Sequence, residues 1–475
     1  MSQNRVLLLG LDFGSTTCSA LIVSAVMASN VVAASAQFNA PQIVYRTTPV
    51  FTPFLTEHIN AMQISQLIRT WLSESKIKVT QLFAASAIIT GLAAQKGNVD
   101  AIRALIAAHI PNAAIIAADD PHLESWLAFM GSCAALSRYH ASTPILNLDI
   151  GGGTTNAALG ENGNVLSTGC HFIGARHIQF VPGGYQLSGV SSYGKALLDH
   201  FGIQKTIGDV LNKIEITQIM TFYVQALEAI TQNNHAFFAS PIAAMHLQSA
   251  WNMALSAHHK ITFSGGIGEL VYQIAAGKPV ASTTFYGDFG IDLAQAIVAS
   301  PVLSANLKTH VPENLGRATV TGLALNSTEV SGSSIYLANP NILPLHEIPI
   351  LAKLPFDAPI AAWQQALSQI KTRGKVLNNG GTCLQITYQY LPSLQQIKAL
   401  ATMLSAEILR INMLKPLVLL IEGNFGKTLG NYITHWGKLS LVLVVIDEVS
   451  MRDAHFVNLG KLQQGLVPVS FYGMY

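Results

Sequence analysis

Two segments of this chain repeat one grammar, and that repeat constrains the fold more than any other feature. The first reads Val6-Leu-Leu-Leu-Gly-Leu-Asp12-Phe-Gly14-Ser15-Thr16-Thr17 and runs on into Ser19-Ala-Leu-Ile-Val23. The second reads Ile145-Leu-Asn-Leu-Asp149-Ile-Gly151-Gly152-Gly153-Thr154-Thr155-Asn156-Ala-Ala-Leu159. Each opens on an apolar run suited to a buried strand. Each then turns through Asp, Gly and hydroxyl residues and enters a second apolar run. Both therefore read as β-hairpins. Their separation far exceeds the roughly 20–50 residues of a solenoid repeat, so the chain contains a duplicated domain.

Such hairpins suit a phosphate. Glycines let backbone N–H groups approach it with no Cβ in the way, and Ser and Thr hydroxyls add donors. An Asp at a strand end can hold Mg²⁺, which prefers oxygen ligands and keeps much of its water. Two such hairpins facing each other would grip a polyphosphate and its metal from both sides. On these grounds Asp12 and Asp149 are the expected metal residues. Gly14, Ser15, Thr16, Thr17, Gly151, Gly152, Gly153 and Thr154 are the expected phosphate contacts. A third glycine turn, Ser264-Gly265-Gly266-Ile267-Gly268-Glu269, ends another strand and would let a nucleoside approach backbone at Gly265, Gly266 and Gly268. Neither a P-loop nor a strand-anchored Gly-x-Gly-x-x-Gly is present.

Between the hairpins the pattern alternates. A helix is predicted over 56–74, a strand over 85–90, a helix over 98–108, a strand over 113–118 and a helix over 122–136 behind Pro121. Beyond the second hairpin, 183–190 and 233–235 read as loops, and 213–231 and 245–257 as helices. The proline-rich stretch 340–349 looks like a boundary. After it come a strand at 384–388, a helix at 393–411, a strand at 417–421, a helix after Gly426 and a strand at 439–446. That βαβαβ rhythm predicts a further parallel-sheet layer.

Only 11% of the 475 residues are charged, against about 25% in an ordinary soluble domain. The longest stretch without Asp, Glu, Lys or Arg, residues 13–45, is broken repeatedly by Gly, Ser, Thr and Asn. A spanning helix needs about 20 mostly apolar residues, so membrane insertion is not expected. The apolar run before Asp12 is too short for a secretory signal. A net charge of +2 argues against a nucleic-acid partner, which calls for a basic stripe. Cys18, Cys133, Cys170 and Cys383 form no Cys-x-x-Cys pair and read as core thiols of a reducing compartment.

The glycine-turn triple resembles the phosphate and adenosine motifs of the actin, Hsp70 and sugar-kinase ATPase superfamily. The resemblance extends to a narrower family. Ile89-Thr-Gly91, Pro121-His-Leu-Glu-Ser125, Arg317-Ala-Thr-Val-Thr-Gly322, Asn424-Phe-Gly-Lys-Thr-Leu-Gly430 and Val445-Ile-Asp-Glu-Val449 resemble the EutA family, the reactivating factors of ethanolamine ammonia-lyase. The likeness runs from about Leu8 to Val469. It implies an α/β fold: duplicated actin-like (ribonuclease H-like) ATPase domains around a nucleotide cleft, plus a C-terminal α/β region. The corresponding divisions are 1–140, 141–338 and 339–475.

It also implies a slow, chaperone-like ATPase using ATP and Mg²⁺. Its partner would be the adenosylcobalamin-dependent lyase, whose damaged cobalamin it helps exchange for intact cofactor. Its location would be the bacterial cytoplasm, beside or inside the ethanolamine microcompartment. In Hsp70-type members an acidic residue before a helix-opening proline positions the attacking water. Asp120-Pro121 matches that pattern, with Glu124 one turn on, so Asp120 and Glu124 are the catalytic candidates. The chain departs from the family at Leu92, where Glu is usual after the glycine, and at Gly174-Ala175-Arg176, where Gly-Gly-Arg is usual. A small-molecule kinase of the same fold, or a nucleotide-gated scaffold with little hydrolysis, are the alternatives.

Overall fold

The structure, a computed structural model, describes every residue except 1–4, 15–16, 31–34, 49, 54–57, 91–96, 112, 118–120, 250–257, 327, 333, 374–380, 412–414, 464 and 475. Ser15, Thr16, Gly91, Leu92 and Asp120 therefore lie outside the described residues.

The first hairpin pairs β1 (Arg5–Phe13) with β2 (Thr17–Asn30), setting Asp12 opposite Ser19 and Phe13 opposite Cys18. β3 (Ser35–Arg46) follows on the far side of β2, and the short β4 (Val50–Phe51) pairs with the start of β2, Thr17 opposite Phe51. β5 (Leu82–Ile89) lies parallel to β1, and β6 (Ala113–Ala117) parallel to β5. Leu9, Leu11 and Phe13 point from β1 into a core shared with Ile64, Ile68 and Trp71 of α1 (Ala61–Ser75) and Ile102 and Ile106 of α2 (Val99–His109). α1 starts where Asn60 accepts the Gln63 N–H in its side chain, the usual way of satisfying a free helix-end donor.

After α3 (Pro121–Ser132) and α4 (Ala134–Tyr139) the pattern recurs. β7 (Ile145–Ile150) and β8 (Thr155–Glu161) form the second hairpin, Asp149 opposite Asn156 and Ile150 opposite Thr155. β9 (Asn164–His171) follows on β8. A small antiparallel pair, β10 (Ile178–Phe180) and β11 (Leu187–Val190), leads to α5 (Ser192–His200), α6 (Lys213–Thr231), α7 (Pro241–Met245) and β12 (Leu247–Ser249). β13 (Lys260–Ser264) then lies parallel to β7 and leads into α8 (Gly265–Ala275) and α9 (Gly290–Ala299). The first sheet runs β3-β2-β1-β5-β6 and the second β12-β9-β8-β7-β13. Both thus contain three antiparallel strands and a parallel fourth beside the first, in one register. This is the duplicated actin-like arrangement expected from the sequence.

Two expectations fail in the second half. Residues 187–190 are a strand, not loop, because buried Leu187 anchors them and Gly189 lets the Gln179 side chain lie close. Of the helix expected over 245–257, residues 250–257 lie outside the described residues, and in the described part α7 ends at Met245. The His246 carbonyl accepts the Phe172 N–H, and the chain becomes an edge strand on β9. Over Leu247–Ser249 tertiary pairing overrides the local helical pattern. The helix expected over 122–136 is divided at Cys133 between α3 and α4.

α10 (Ala318–Asn326) and β14 (Thr328–Val330) return to the first sheet. The C-terminal layer follows: β15 (Tyr336–Leu337), β16 (Leu345–Pro355), α11 (Ile360–Arg373), β17 (Thr382–Thr387), α12 (Leu394–Ile411), β18 (Leu417–Ile421), α13 (Gly426–Ile433), β19 (Leu443–Ile446), β20 (Ala454–Leu459) and β21 (Pro468–Met474). β16, β17, β18 and β19 are parallel, so the βαβαβ expectation holds. The sequence reading did not anticipate β20 and β21. They fold back antiparallel, and β21 pairs with β14, which pairs with β3, so the C-terminal sheet is continuous with the first. The proline-rich stretch is built into it. Pro349 sits where β16 leaves β20 for β17, a point where a missing N–H is tolerated.

The helices that connect the halves are exchanged. α3, which follows the first sheet, packs on β8 and β9; α10, which follows the second, packs on β1 and β2. They cross with backbones in contact. A Cβ on Gly131 would lie 1.9 Å from the Ala318 carbonyl oxygen, and one on Gly322 2.0 Å from that of Leu127. All four cysteines are buried free thiols. Among the described residues no helix is long and apolar enough to cross a membrane.

Candidate functional site

The two hairpin turns are closed identically. Gly14 N–H donates to the Thr17 carbonyl at 3.0 Å, and Gly151 N–H to the Thr154 carbonyl at 2.9 Å. They face each other across one cleft. Its walls include Asp12, Gly14, Thr17, Asp149, Gly151, Gly152, Gly153, Thr154, Gly265, Gly266 and Glu124. Of the residues expected from sequence, Gly268 is not on this wall. It sits inside α8, where a Cβ would lie 2.8 Å from the Phe263 backbone, so its role is close helix–strand packing.

In the second turn three successive carbonyls point away from the cleft. Gly151 O accepts Ala175 N–H (3.2 Å), Gly152 O accepts Arg176 N–H (2.7 Å), and Gly153 O lies 2.8 Å from His177 Nε2. In a trans peptide the next N–H points opposite to the carbonyl. The N–H groups of Gly152, Gly153 and Thr154 are thereby turned toward the cleft, a concave set of donors suited to an anion. Gly174 makes the approach possible, since a Cβ there would lie 2.4 Å from Gly152 O. Ala175, where the resemblance led one to expect glycine, is accommodated: its side chain is buried in the core and its N–H still holds the turn. In the first turn, Thr52 OH donates to Gly14 O at 2.6 Å.

The carboxylates also match. Asp12 is partly open to the cleft, and Asp149 is buried. Burial, and then the Asp149 carboxylate, pushes Asp12 up to about 7. Burial pushes Asp149 up to about 6, opposed by the Ser264 hydroxyl, which donates to it at 2.5 Å. That hydroxyl is held in turn by Asn147 Nδ2 at 2.8 Å. Cross-strand partners share a sheet face, so Asn156 stands beside Asp149, and its buried Oδ1 has no hydrogen-bond partner among the described residues. Two facing acids and an orphaned amide oxygen make an all-oxygen donor set. It fits a hard divalent cation such as Mg²⁺, with water and phosphate completing the shell.

The third wall is the N-terminus of α8, where backbone N–H groups and the helix dipole favour an anion. Gly265 has φ +79°, and a Cβ there would lie 2.5 Å from Ile150 O, whereas Gly266 is open. On the nucleotide reading of this cleft, Gly265→Ala is expected to weaken nucleotide binding at least about tenfold by displacing this turn against the second hairpin. Titration with a fluorescent ATP analogue measures it, with Gly266→Ala as the milder control.

Sequence reasoning missed part of the site. Arg317 lines the cleft, its guanidinium held by the Gly316 and Thr47 carbonyls at 3.1 and 3.0 Å. Ser19 also lines it, facing Asp12 across the hairpin. Arg317 was visible as the head of a family motif but carried no assignable role. Ser19 could have been found from the hairpin register, as the counterpart of Asn156.

The family described as "Ethanolamine utilisation protein EutA" matches residues 4–473. Two curated proteins called "Ethanolamine ammonia-lyase reactivase EutA" are similar to the chain. The Escherichia coli (strain K12) protein is 28% identical and the Salmonella typhimurium protein 29%, each alignment covering 99% of this chain and 98% of the relative. Among solved structures, the ethanolamine utilization protein EutJ from Carboxydothermus hydrogenoformans is a remote likeness. It is 14% identical with a TM-score of 0.31, and the match covers 67% of this chain and 89% of that one. With the family match spanning both hairpins, the third glycine turn and the C-terminal layer, this chain belongs to the EutA family.

Proposed function

We propose that this protein is an ATP- and Mg²⁺-dependent reactivating factor for ethanolamine ammonia-lyase. It would help lyase whose adenosylcobalamin has lost its adenosyl group release the damaged cobalamin and accept intact cofactor. The observation that carries the reading is the duplicated site, two turns and two facing acids, in a chain alignable along its length with relatives named reactivases. Residues 1–140 and 141–338 form the nucleotide-binding halves, and 339–475 is assigned to partner contact. The setting is the bacterial cytoplasm, beside the ethanolamine microcompartment.

In this reading Asp12, Asp149 and Asn156 hold Mg²⁺, which neutralises phosphate charge when bound. The N–H groups of Gly152, Gly153 and Thr154 hold the phosphates of ATP, and the α8 turn takes the nucleoside. Glu124, on the first turn of α3, or Asp120, just ahead of that helix, orients the water that attacks the terminal phosphate. The nucleotide can move the two halves only through its differential affinity for open and closed forms. The exchanged helices α3 and α10 are the elements on which the halves would turn. The C-terminal layer reaches that crossing: the Arg452 guanidinium lies 5.0 Å from the Trp126 ring on α3 and pairs with Glu329.

The test uses lyase inactivated with cyanocobalamin, mixed with this protein, ATP and Mg²⁺, then given adenosylcobalamin. Recovery of ethanolamine deamination well above an ATP-free control is expected. Absence of recovery would sink the reactivase reading. Glu124→Gln is expected to slow ATP hydrolysis about 10²-fold with little change in ATP affinity, as loss of a water-positioning group does. Full rates in both Glu124→Gln and Asp120→Asn would remove both from the mechanism.

A further inference from the structure

The second phosphate turn is held from behind by three donors, two of them backbone N–H groups and the third the side chain of His177. We infer that His177 is a positioning residue that aims the last amide of this turn at the bound phosphate. The inference rests on the nucleotide reading of the cleft.

His177 is 3% exposed. Its Nε2 lies 2.8 Å from Gly153 O and its Nδ1 2.9 Å from Ser191 Oγ. A carbonyl can only accept, so Nε2 carries the proton. Nδ1 in the neutral ring is then the acceptor, and the Ser191 hydroxyl donates to it. Ser191 is itself fixed as the N-cap of α5, its Oγ accepting the Gly194 N–H at 3.1 Å. Gly194 permits the close fit, because a Cβ there would lie 2.3 Å from the His177 carbonyl oxygen. Burial, with His246 nearby, holds the imidazole down at about 4, so it stays neutral near pH 7 and keeps this tautomer.

The chain of contacts therefore runs from the start of α5 through Ser191 and His177 to the Gly153 carbonyl. Because the Gly153–Thr154 peptide is planar, holding that carbonyl fixes the opposite direction of the Thr154 N–H. A buried histidine is usually only a packing element. This one instead contacts the backbone of a phosphate turn, on the side away from the cleft. Its loss should act on phosphate recognition and not on the nucleoside.

The experiment compares wild type, His177→Phe and His177→Gln for binding of ATP, ADP and adenosine by calorimetry, with thermal melting as a check on folding. Phe keeps the ring and removes the donor; Gln keeps an amide N–H near Nε2. His177→Phe is expected to weaken ATP and ADP about tenfold, the scale of one lost donor to a charged group, and leave adenosine within about twofold. His177→Gln should restore most of the loss. If Phe does not fold, Ser191→Ala replaces it, with a loss of about threefold expected in the same direction. A folded Phe (or Ser191→Ala) variant with wild-type ATP affinity, or equal losses for ATP and adenosine, overturns the assignment alone. Wild-type protein that binds no ATP overturns the assignment together with the nucleotide reading.

Discussion

Asp12→Asn is expected to abolish Mg²⁺-dependent ATP turnover, by at least about 10²-fold, while making the nucleotide-free protein more stable at neutral pH. Both effects come from one arrangement. Unfolded, Asp12 has the ordinary carboxyl value of 3.8; folded, burial and the facing Asp149 raise it to about 7. The folded state therefore holds this proton more tightly than the unfolded state. Its contribution to stability is complete below about pH 4 and is lost as pH rises through about 7. At about 1.4 kcal/mol per unit, the loss is on the order of 4 kcal/mol. Asparagine has no such proton to lose. The gap in melting temperature between variant and wild type should be small at pH 4, widen with rising pH, and level off above about pH 7. Mg²⁺ and ATP should then raise the melting temperature of wild type and scarcely move the variant. Thermal melts across this pH range, with and without nucleotide, read both effects. A variant less stable than wild type at pH 8, or one that still hydrolyses ATP, would remove Asp12 from the metal site.

Gly322→Ala is expected to damage the protein far more than a methyl group usually does. In an isolated helix the change would help, by about 1 kcal/mol of propensity. Here the new Cβ falls 2.0 Å from the Leu127 carbonyl oxygen on the crossing helix. Backbone cannot rotate aside as a side chain can, so α3 and α10 must separate. Overpacking costs about 1–3 kcal/mol where side chains can adjust, and a backbone clash belongs at or above the top of that range. The clash outweighs the gain in propensity. Gly131→Ala, 1.9 Å from the Ala318 carbonyl oxygen, should behave alike. The expected results are a melting temperature lowered by several degrees and loss of ATP-dependent protection from limited proteolysis. If Gly322→Ala is as stable as wild type and still protected by ATP, the crossing is not the tight pivot it is taken to be.

Much of the site was legible because it is written in short contiguous motifs. Asp12-x-Gly14 and Asp149-x-Gly151 specify strand, acid and turn within three residues, and the structure brings both turns to one cleft. Ser264-Gly265-Gly266 was legible for the same reason. Arg317 and His177 were not, since each acts through partners remote in sequence: Thr47 for Arg317, and Gly153 and Ser191 for His177. Gly268 followed the expected pattern but serves packing, because one turn into α8 it faces Phe263 and not the cleft.

By itself the sequence determined the duplication, the two hairpins with their acids, the α/β alternation and the parallel rhythm of the last third. These follow from periodicity and turn chemistry, which are local. Only the tertiary structure decided that the last third is continuous with the first sheet through β21 and β14. The same holds for the exchange of α3 and α10 between the halves, and for the backward pull of residues 175–177 that turns three N–H groups toward the cleft. The physical reason is common to all three. A strand edge, a helix face and a carbonyl lone pair each accept many partners. Which one they receive depends on close approach between distant segments, which at the helix crossing and the second turn is permitted because Gly131, Gly322 and Gly174 carry no Cβ.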